Sequence, residues 1–374
     1  MNFDLTDEQR LMQESVQRFV NDNYALPARQ ALVQSRFGYS SDHWATMAQL
    51  GWLALPFDPT DGGLGGNQID VLVIMEQFGR GLVLEPYLAS IVMGGGALRH
   101  ANADLRAEFL PGVIEGTRQL ALAYAELQAR FDLEDMVTSA RAEGTDFVLN
   151  GQKSMVLHGG SAHQIVVAAR TSGGQRDTDG ITLFLVDGDA PGLTKDSFPT
   201  VDGLRAAELR LTDVRVPASR IIGPVDGGFA ILNAVANDAI LALAAEAVGA
   251  MEVLYKDTVA YTQTREQFDH PLAEFQVLQH RMVDMFMEYE QCKSLLYRAT
   301  LEVAGNTPTA QRTVHALKHL VGRTGLFIGE NAVQLHGGMG MTEELRVGHY
   351  FKRLLVIDTQ FGSADHHLQL FAAS

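Results

Sequence analysis

The sequence predicts an α+β protein in which a β domain lies between two helical domains. Helical periodicity runs through the first ~115 residues, β-rich segments follow between residues 120 and 216, and helical periodicity returns after Gly227-Gly228. At 374 residues, 46% of them hydrophobic, the chain has enough apolar material for large cores. The predicted domains span residues 1–117, 118–225 and 226–374.

The N-terminal domain opens with a predicted helix, because Thr6 and Gln9 have the spacing of a capping box. Helical periodicity recurs at residues 45–53 and 69–78, and a glycine-rich turn at residues 61–66 separates the two segments. We therefore expect this domain to be mostly helical.

The middle domain has segments of β character at residues 120–124, 147–149, 154–157, 165–169, 181–186 and 208–216. Asn150-Gly151 lies between two apolar runs and predicts a two-residue hairpin turn. The imperfect alternation of the last segment predicts a bulge near Asp213, and the β segments end near Pro217.

The C-terminal domain has helical periodicity at residues 229–265, 274–304, 307–335 and 364–371. Thr307 and Pro308 suit the N-cap and the first position of the third helix. One stripe on the second helix has helical spacing and is predicted to pack in the core: Val277, Met282, Met285, Phe286 and Tyr289.

Composition excludes several classes of function. With 29 Lys and Arg against 45 Asp and Glu, the formal net charge is −16, which argues against a nucleic-acid or anionic-membrane surface. The most apolar stretch, residues 239–254, is too short and too charged to span a bilayer, so we expect no membrane insertion. The single cysteine, Cys292, and an N-terminus without a secretory signal make the cytoplasm the expected compartment.

Short motifs for other chemistries are weak. The glycines at residues 94–96 and 337–340 lack the strand before and the helix after that a Rossmann fingerprint requires. His366-His367 is interpreted as a polar pair on a helix, because no third ligand has helical spacing, and no metal site is expected. Nucleophilic hydrolysis has no supporting motif.

Longer segments carry more information, and they lie at residues 55–65, 150–153, 211–217, 264–268, 275–280 and 334–342. Two of them contain Thr264-Arg265-Glu266-Gln267-Phe268 and Gln334-Leu335-His336-Gly337-Gly338. Together, and over essentially the whole chain, these segments resemble the acyl-CoA dehydrogenase family of flavoproteins. The resemblance implies an N-terminal helical domain, a middle β-barrel-like domain and a C-terminal four-helix bundle, which agrees with the changes of period.

In that family FAD lies extended between subunits. The resemblance implies that this chain offers five residues to the FAD of a neighbour: Arg265, Phe268, Gln334, Gly337 and Gly338. Arginine can fork onto the pyrophosphate, glutamine can satisfy polar atoms of the adenosine, and glycine lets the backbone approach closely. The alternative for Arg265 is a solvated cation at a helix end.

The family removes the α-proton of an acyl-CoA thioester with a glutamate while the β-hydrogen leaves as hydride. Most members carry that glutamate just before the final helix, where this chain has Phe361, and others carry it on the long helix, at Ala239 here. Asp238 is adjacent but turned ~100° around the helix, and it is the candidate substitute base, with a solvated helix Asp as the alternative. Asp358, one turn before Phe361, is weaker.

The middle domain departs from the family as well. Residues 125–132 replace the flavin-facing loop, and Met155 and Leu157 stand where the family has a tryptophan and a threonine against the flavin. An aromatic surface and a hydroxyl are therefore missing. We expect the chain's own flavin site to be degraded.

Two C-terminal runs, residues 347–353 and 357–367, resemble the small subunits of pimeloyl-CoA dehydrogenases, which assemble with a larger homologue. The chain is therefore expected to serve FAD-dependent dehydrogenation of a medium-chain or dicarboxylic acyl-CoA. Its expected partners are a larger homologous subunit or further copies of itself, in a dimer or tetramer, and an electron-transfer acceptor. Two alternatives remain open: a self-sufficient dehydrogenase with Asp238 as base, and a non-catalytic acyl-CoA-binding or scaffolding homologue.

Overall fold

The computed structural model describes residues 4–374, which divide into two compact units. One unit comprises the described residues up to Ala31, together with Gln68–Val83 and Ile240–Ser374, and the other comprises Leu32–Asn67 and Leu84–Ala239. The predicted domain boundaries after residues 117 and 225 stay predictions.

The N-terminal region is helical, as predicted. Its α-helices are α1 (Asp7–Asn23), α2 (Leu26–Val33), α3 (Ser41–Gln49), α4 (Gln68–Gly81), α5 (Gly96–Leu98) and α6 (Ala103–Ile114). The capping box is confirmed, because the Gln9 amide donates to Thr6 Oγ1 at 3.2 Å and the Thr6 amide donates to Gln9 Oε1 at 3.0 Å.

A π-helix, Tyr87–Gly95, precedes α5 and accounts for part of the glycine cluster at residues 94–96. A Cβ on Gly94 would lie 2.5 Å from the Leu120 side chain, and one on Gly95 would lie 2.7 Å from the Phe57 ring. These two glycines therefore allow close packing inside this unit.

Eight strands form one sheet: β1 (Leu120–Ala123), β2 (Ser139–Glu143), β3 (Asp146–Leu157), β4 (Gln164–Arg170), β5 (Ile181–Asp187), β6 (Leu193–Pro199), β7 (Arg205–Pro217) and β8 (Ile221–Ile222). Their order is β6-β7-β3-β2-β4-β5-β8, and β1 pairs in parallel with β4. A separate two-stranded hairpin consists of β9 (Glu266–Gln267) and β10 (His270–Pro271). The predicted order of helical, β and helical segments is confirmed.

The hairpin predicted at Asn150-Gly151 was wrong, because β3 runs straight through it and the chain reverses after Glu143 instead. Asn150 has a cross-strand role: its side-chain amide donates to Asp213 Oδ1 at 3.0 Å and its Oδ1 accepts from the Asp213 amide at 2.9 Å. The bulge predicted near Asp213 is confirmed by a register shift against β3 and a φ of 51° at Asp213.

The C-terminal helices are α7 (Gly228–Thr264), α8 (Gln276–Ala304), α9 (Ala310–His336), α10 (Arg346–Thr359) and α11 (Ala364–Ala373). They form the predicted bundle, in which α9 packs against α8, α10 and α11. The sequence prediction missed α10, although Val347, Tyr350, Leu354 and Ile357 are buried at helical spacing.

Helix α9 begins later than predicted. Thr307 and Pro308 both precede it, and Thr309 stands at the N-cap. The Thr309 hydroxyl makes no capping bond and donates instead to Glu302 Oε2 at 2.9 Å. A hydrogen bond between two helices is therefore present in place of the side-chain capping bond that the local sequence predicted for the start of α9.

The stripe predicted as core on α8 is only partly buried. Met285 and Tyr289 are buried, whereas Val277 and Phe286 are exposed. Phe286 is one residue beyond Met285 and is therefore turned ~100° from the buried face. The core prediction was wrong for Val277 and Phe286.

Residues 239–254 were expected to be too short and too charged to span a bilayer, but the helix that contains them, α7, is long and apolar enough by length and composition. However, 67% of its most apolar window is buried inside the protein. It crosses α4 closely, since a Cβ on Gly79 would lie 1.9 Å from the Glu246 carbonyl oxygen and one on Gly249 would lie 1.9 Å from the Glu76 carbonyl oxygen. Burial of this kind is typical of a core helix.

Candidate functional site

A cleft of about 830 Å³ opens where the end of α7, the β9–β10 hairpin, the start of α8 and the end of α9 meet. Two arginines, Arg265 and Arg281, line it, and no Asp or Glu of the described residues does. Positive charge is therefore concentrated here in a chain with a net charge of −16. A local basic pocket of this kind suits an anionic ligand.

The hairpin after α7 determines where Arg265 stands. The Leu272 amide donates to the Arg265 carbonyl oxygen at 2.8 Å and closes the base of the hairpin. Its two central residues, Phe268 and Asp269, have φ angles of 55° and 63°, which a bulky side chain such as phenylalanine rarely adopts. Phe268 is 86% exposed and lies in a strained turn beside the cleft.

Both arginines are exposed, and neither has an ion-pair partner within residues 4–374. Arg281 Nη1 donates to Asn331 Oδ1 at 3.3 Å, whereas the Arg265 guanidinium makes no such bond. Almost all of their hydrogen-bond donors are therefore available to a ligand.

The end of α9 forms the opposite wall. The Gln334 side chain is exposed and makes no hydrogen bond to any described residue. His336 is buried, donates through Nδ1 to the Ala332 carbonyl oxygen at 2.8 Å, and stacks on Tyr261 with ring centroids 4.3 Å apart. This stack and this bond position the His336 ring just before the two glycines.

Gly337 and Gly338 leave the backbone open to the cleft. Gly337 has φ 62° and ψ −144°, a conformation that essentially only glycine adopts. A Cβ on either glycine would meet no described atom within 4 Å. The backbone conformation therefore requires glycine at Gly337, and the space around both glycines is open to a bound group.

The structure brings together most of the residues predicted for the cofactor: Arg265, Gln334, Gly337 and Gly338 line one cleft. Phe268 does not line it and packs edge-on against Phe275 at 6.3 Å. The sequence reasoning missed Arg281, Tyr261 and His336, and a lone arginine on a helix has no spacing signal by which it could be found.

Phe361, which is predicted to stand at one of the two positions of the family's base, is only 8% exposed. Its φ of 57° is strained for a phenylalanine. Its carbonyl oxygen accepts from His367 Nε2 at 2.8 Å, and the next carbonyl, of Gly362, accepts from Lys318 Nζ at 2.6 Å. Buried side chains therefore hold this loop through its backbone.

The two buried side chains have shifted pKa values. Burial lowers the pKa of Lys318 to about 8, although the nearby Asp358 carboxylate opposes the shift, and Nζ donates to the carbonyl oxygens of Asp358 and Gly362. Burial also lowers the pKa of His367 to about 3. His367 is therefore neutral near pH 7, and its Nδ1 accepts from His315 Nδ1 at 3.1 Å.

The second position at which the family's base is predicted is also apolar. Ala239 is fully buried on α7. The neighbouring Asp238 is half-buried, and its Oδ2 lies 3.2 Å from Arg99 Nη2 in an ion pair. The role of Asp238 as a substitute base stays a prediction. The weaker candidate, Asp358, is engaged inside the chain, because its Oδ1 accepts a hydrogen bond from the Ala364 amide at 2.9 Å.

Residues 125–132, which are predicted to replace the family's flavin-facing loop, include Glu126 of a buried ion pair. Glu126 Oε1 lies 2.7 Å from Lys153 Nζ, and Glu126 Oε2 accepts from the Val137 amide at 2.8 Å. Met155 is 49% exposed and Leu157 is half-buried. These positions offer neither an aromatic face nor a hydroxyl.

Across residues 4–374, no group of three or more His, Cys, Asp and Glu side chains is arranged to hold a metal ion. His366-His367 lies on α11, where His367 is engaged by His315 and by the Phe361 carbonyl. These bonds give His367 a structural role.

Three family models match the chain in order. They describe the N-terminal domain of acyl-CoA dehydrogenase at residues 6–117, the middle domain at 121–214 and the C-terminal domain at 226–374. The matches therefore extend over most of the chain.

Individual proteins agree with these models. A probable acyl-CoA dehydrogenase of Bacillus subtilis (strain 168), YngJ, is 27% identical over 371 residues, which are 98% of this chain and 97% of that protein. A variant of the Tcur3481-Tcur3483 steroid ACAD is 27% identical with a TM-score of 0.89, over 98% of this chain and 97% of the other. PigA with FAD and proline is 25% identical with a TM-score of 0.92, over 100% and 98%.

Proposed function

Since the chain belongs to the acyl-CoA dehydrogenase family, we propose that it is the small subunit of an FAD-dependent acyl-CoA dehydrogenase. One observation carries the proposal: an exposed cleft unites Arg265, Gln334, Gly337 and Gly338, and the side-chain polar groups of Arg265 and Gln334 make no bond to any described residue. The cleft completes the FAD site of a neighbouring subunit.

The residues of the cleft fit the adenosine diphosphate part of FAD, the cofactor of this family. The Arg265 guanidinium can donate a bidentate pair of hydrogen bonds to a phosphate group. Gln334 offers a free amide to the adenosine, and the open backbone at Gly338 lets a ligand come close. When bound, the flavin accepts the hydride that leaves the β-carbon of the substrate.

The partner supplies the base in this proposal. Phe361 and Ala239 cannot take a proton, and Asp238 is paired with Arg99. Met155 and Leu157 likewise offer the flavin ring no stacking face and no hydroxyl. In this proposal the chain's own flavin site is degraded, whereas its surface for a neighbour's FAD is intact. This combination favours assembly with a larger homologue.

A solved relative named for two components, Tcur3481-Tcur3483, supports a heteromeric enzyme, because it is 27% identical over nearly the full length of both chains. We further propose a medium-chain or dicarboxylic acyl-CoA substrate, such as pimeloyl-CoA, in degradation that resembles β-oxidation. Electrons would leave through an electron-transfer acceptor, and the cytoplasm is the proposed compartment.

A second candidate, a non-catalytic acyl-CoA-binding or scaffolding homologue, is favoured by the apolar residues at both base positions. The two candidates differ in the purpose of the cleft. A scaffold needs no FAD contacts, so substitution of Arg265 would leave the flavin of any assembly unchanged.

The test compares the chain alone with the chain assembled with a homologue that has an intact base. Native mass and absorption spectra give the stoichiometry of flavin in each. We expect the chain alone to hold well under one FAD per chain and the assembly to hold FAD at its partner-derived sites. Bound yellow flavin at one per chain in the protein purified alone would contradict the proposal.

A further inference from the structure

A second arginine in the cleft, Arg281 on α8, has a built environment of its own. Asn331 Oδ1 accepts from Arg281 Nη1 at 3.3 Å, and the Asn331 side-chain amide donates to the Phe327 carbonyl oxygen at 2.8 Å. Asn331 is thus fixed to α9 and orients a guanidinium that comes from a different helix. The other donors of Arg281 have no partner within residues 4–374.

The charge of the cleft matches a particular anion. Arg265 and Arg281 are the cationic side chains of its lining, and that lining contains no described acid. The diphosphate that joins the two halves of a dinucleotide carries two negative charges, so one arginine would leave half of that charge without a counter-ion. Two guanidiniums neutralise it.

We propose that Arg281 is the second arginine of a two-arginine clamp for the diphosphate of an adenosine diphosphate group. The inference rests on the proposed function, in which this cleft receives that part of a neighbour's FAD. Arg281 selects for two adjacent phosphates over one, and Asn331 is its positioning residue. Leu272 and Leu278 give the same cleft apolar surface that suits a purine ring.

The experiment measures binding of ADP, AMP and adenosine to the purified chain by calorimetry. The unmodified chain should prefer ADP to AMP. Arg281→Gln should lower the affinity for ADP about tenfold, the usual effect of losing one charge-assisted hydrogen bond, and leave the affinity for AMP nearly unchanged. Arg281→Lys should retain part of the preference, because it keeps the charge but loses the planar fork.

Arg18→Gln is the matched control, because Arg18 is an exposed arginine of α1 that does not line the cleft. It should bind ADP as the unmodified chain does. Circular dichroism should be the same for all variants. Asn331→Ala should weaken ADP binding less than Arg281→Gln, because it removes the hydrogen bond that orients Arg281 and leaves the positive charge of Arg281 in place.

Two outcomes separate this inference from the proposed function. Unchanged ADP binding in Arg281→Gln, together with a loss in Arg265→Gln, would overturn the clamp and leave the cleft as an FAD surface. No binding of ADP by the unmodified chain at millimolar concentration would overturn both.

Discussion

At the residue scale, the arrangement of charge around Arg265 differs from that of a structural ion pair. Arg353, for comparison, is buried and donates to both carboxylate oxygens of Glu246, through Nε at 2.6 Å and through Nη2 at 2.7 Å. Arg265 is exposed, has no acidic partner among residues 4–374, and is held in place by the backbone of a hairpin. A guanidinium of this kind contributes little to folding and is available for binding.

Arg265→Ala should therefore lower the FAD content of the assembled enzyme without changing its helical content. Loss of charge-assisted hydrogen bonds to a phosphate should weaken FAD binding about tenfold or more. Flavin absorbance after gel filtration measures the occupancy, with Arg18→Ala as the control. If the FAD content of Arg265→Ala equals that of the unmodified enzyme, this role of Arg265 is wrong.

Phe361 leads to a prediction about activity. Without a positioned carboxylate the α-proton stays on the thioester, and loss of a general base typically removes ~10²–10⁴-fold of rate. The chain alone, loaded with FAD, should not reduce an artificial acceptor with saturated acyl-CoAs of several lengths or with ω-carboxylated ones. Phe361→Glu tests whether only the base is missing, although a buried glutamate also loses hydration.

If Asp238 is the base instead, the same assay should give a result that contradicts this prediction. Robust turnover by the unmodified chain, abolished by Asp238→Asn, would reject the prediction and support Asp238. The ion pair between Asp238 and Arg99, at 3.2 Å, makes that outcome unexpected.

Lys318 gives a prediction about pH. Its pKa is about 8 in the folded protein, against ~10.4 in an unfolded chain. Between these values the lysine binds more protons in the unfolded state, so Lys318 should contribute a rise in the free energy of unfolding as the pH rises from 8 to 10. Urea unfolding at several pH values measures the slope.

Lys318→Met should remove this contribution and lower the slope, whereas the contribution of Lys153, whose pKa burial also lowers to about 8, should remain. Lys352→Met is the control, since Lys352 is partly exposed and pairs with Glu343. An equal slope in the unmodified chain and in Lys318→Met would show that Lys318 does not titrate in this range.

At the element scale, the crossing of α4 and α7 depends on two glycines. A Cβ on Gly79 or on Gly249 would lie 1.9 Å from a carbonyl oxygen of the other helix, and backbone atoms cannot turn aside as a flexible side chain can. The two helices would have to separate to admit a methyl group.

Gly79→Ala should therefore lower the free energy of unfolding by more than about 2 kcal/mol, although alanine favours a helix. Gly96→Ala is the control, because its Cβ would meet its nearest neighbour, Val235, at an ordinary 3.6 Å. Chemical denaturation measures both. Equal stability of the two variants would contradict the close crossing.

At the scale of the whole molecule, large apolar side chains remain exposed on the C-terminal helices and beside the cleft. They include Phe268, Val277, Phe286, Met287, Met339 and Met341. Exposed apolar groups in such number are typical of a surface that another subunit covers.

The chain should therefore associate, as a dimer or a larger species, at micromolar concentration. Sedimentation velocity measures the mass, and burial of these side chains supplies the driving force. A 40.8 kDa monomer that persists without a partner would contradict the prediction.

Much of the fold was predictable, because the signals are local. Capping at Thr6, the bulge at Asp213 and most of the long helices depend on residues close together in sequence. The hairpin at Asn150-Gly151 failed because Asn150 bonds to a strand more than sixty residues away. The start of α9 failed for a similar reason, since Thr309 bonds to Glu302 of α8.

The sequence by itself determined the kinds of segment, their order and the family, since periodicity and motifs are properties of neighbouring residues. Only the tertiary structure decided which polar groups share a cleft. Arg281 and Arg265 line the same cleft, whereas Phe268 lies outside it. A Cβ on Gly79 would collide with the neighbouring helix, whereas a Cβ on Gly338 would meet no described atom within 4 Å. These outcomes depend on how helices distant in sequence pack, and no pattern along one helix carries that information.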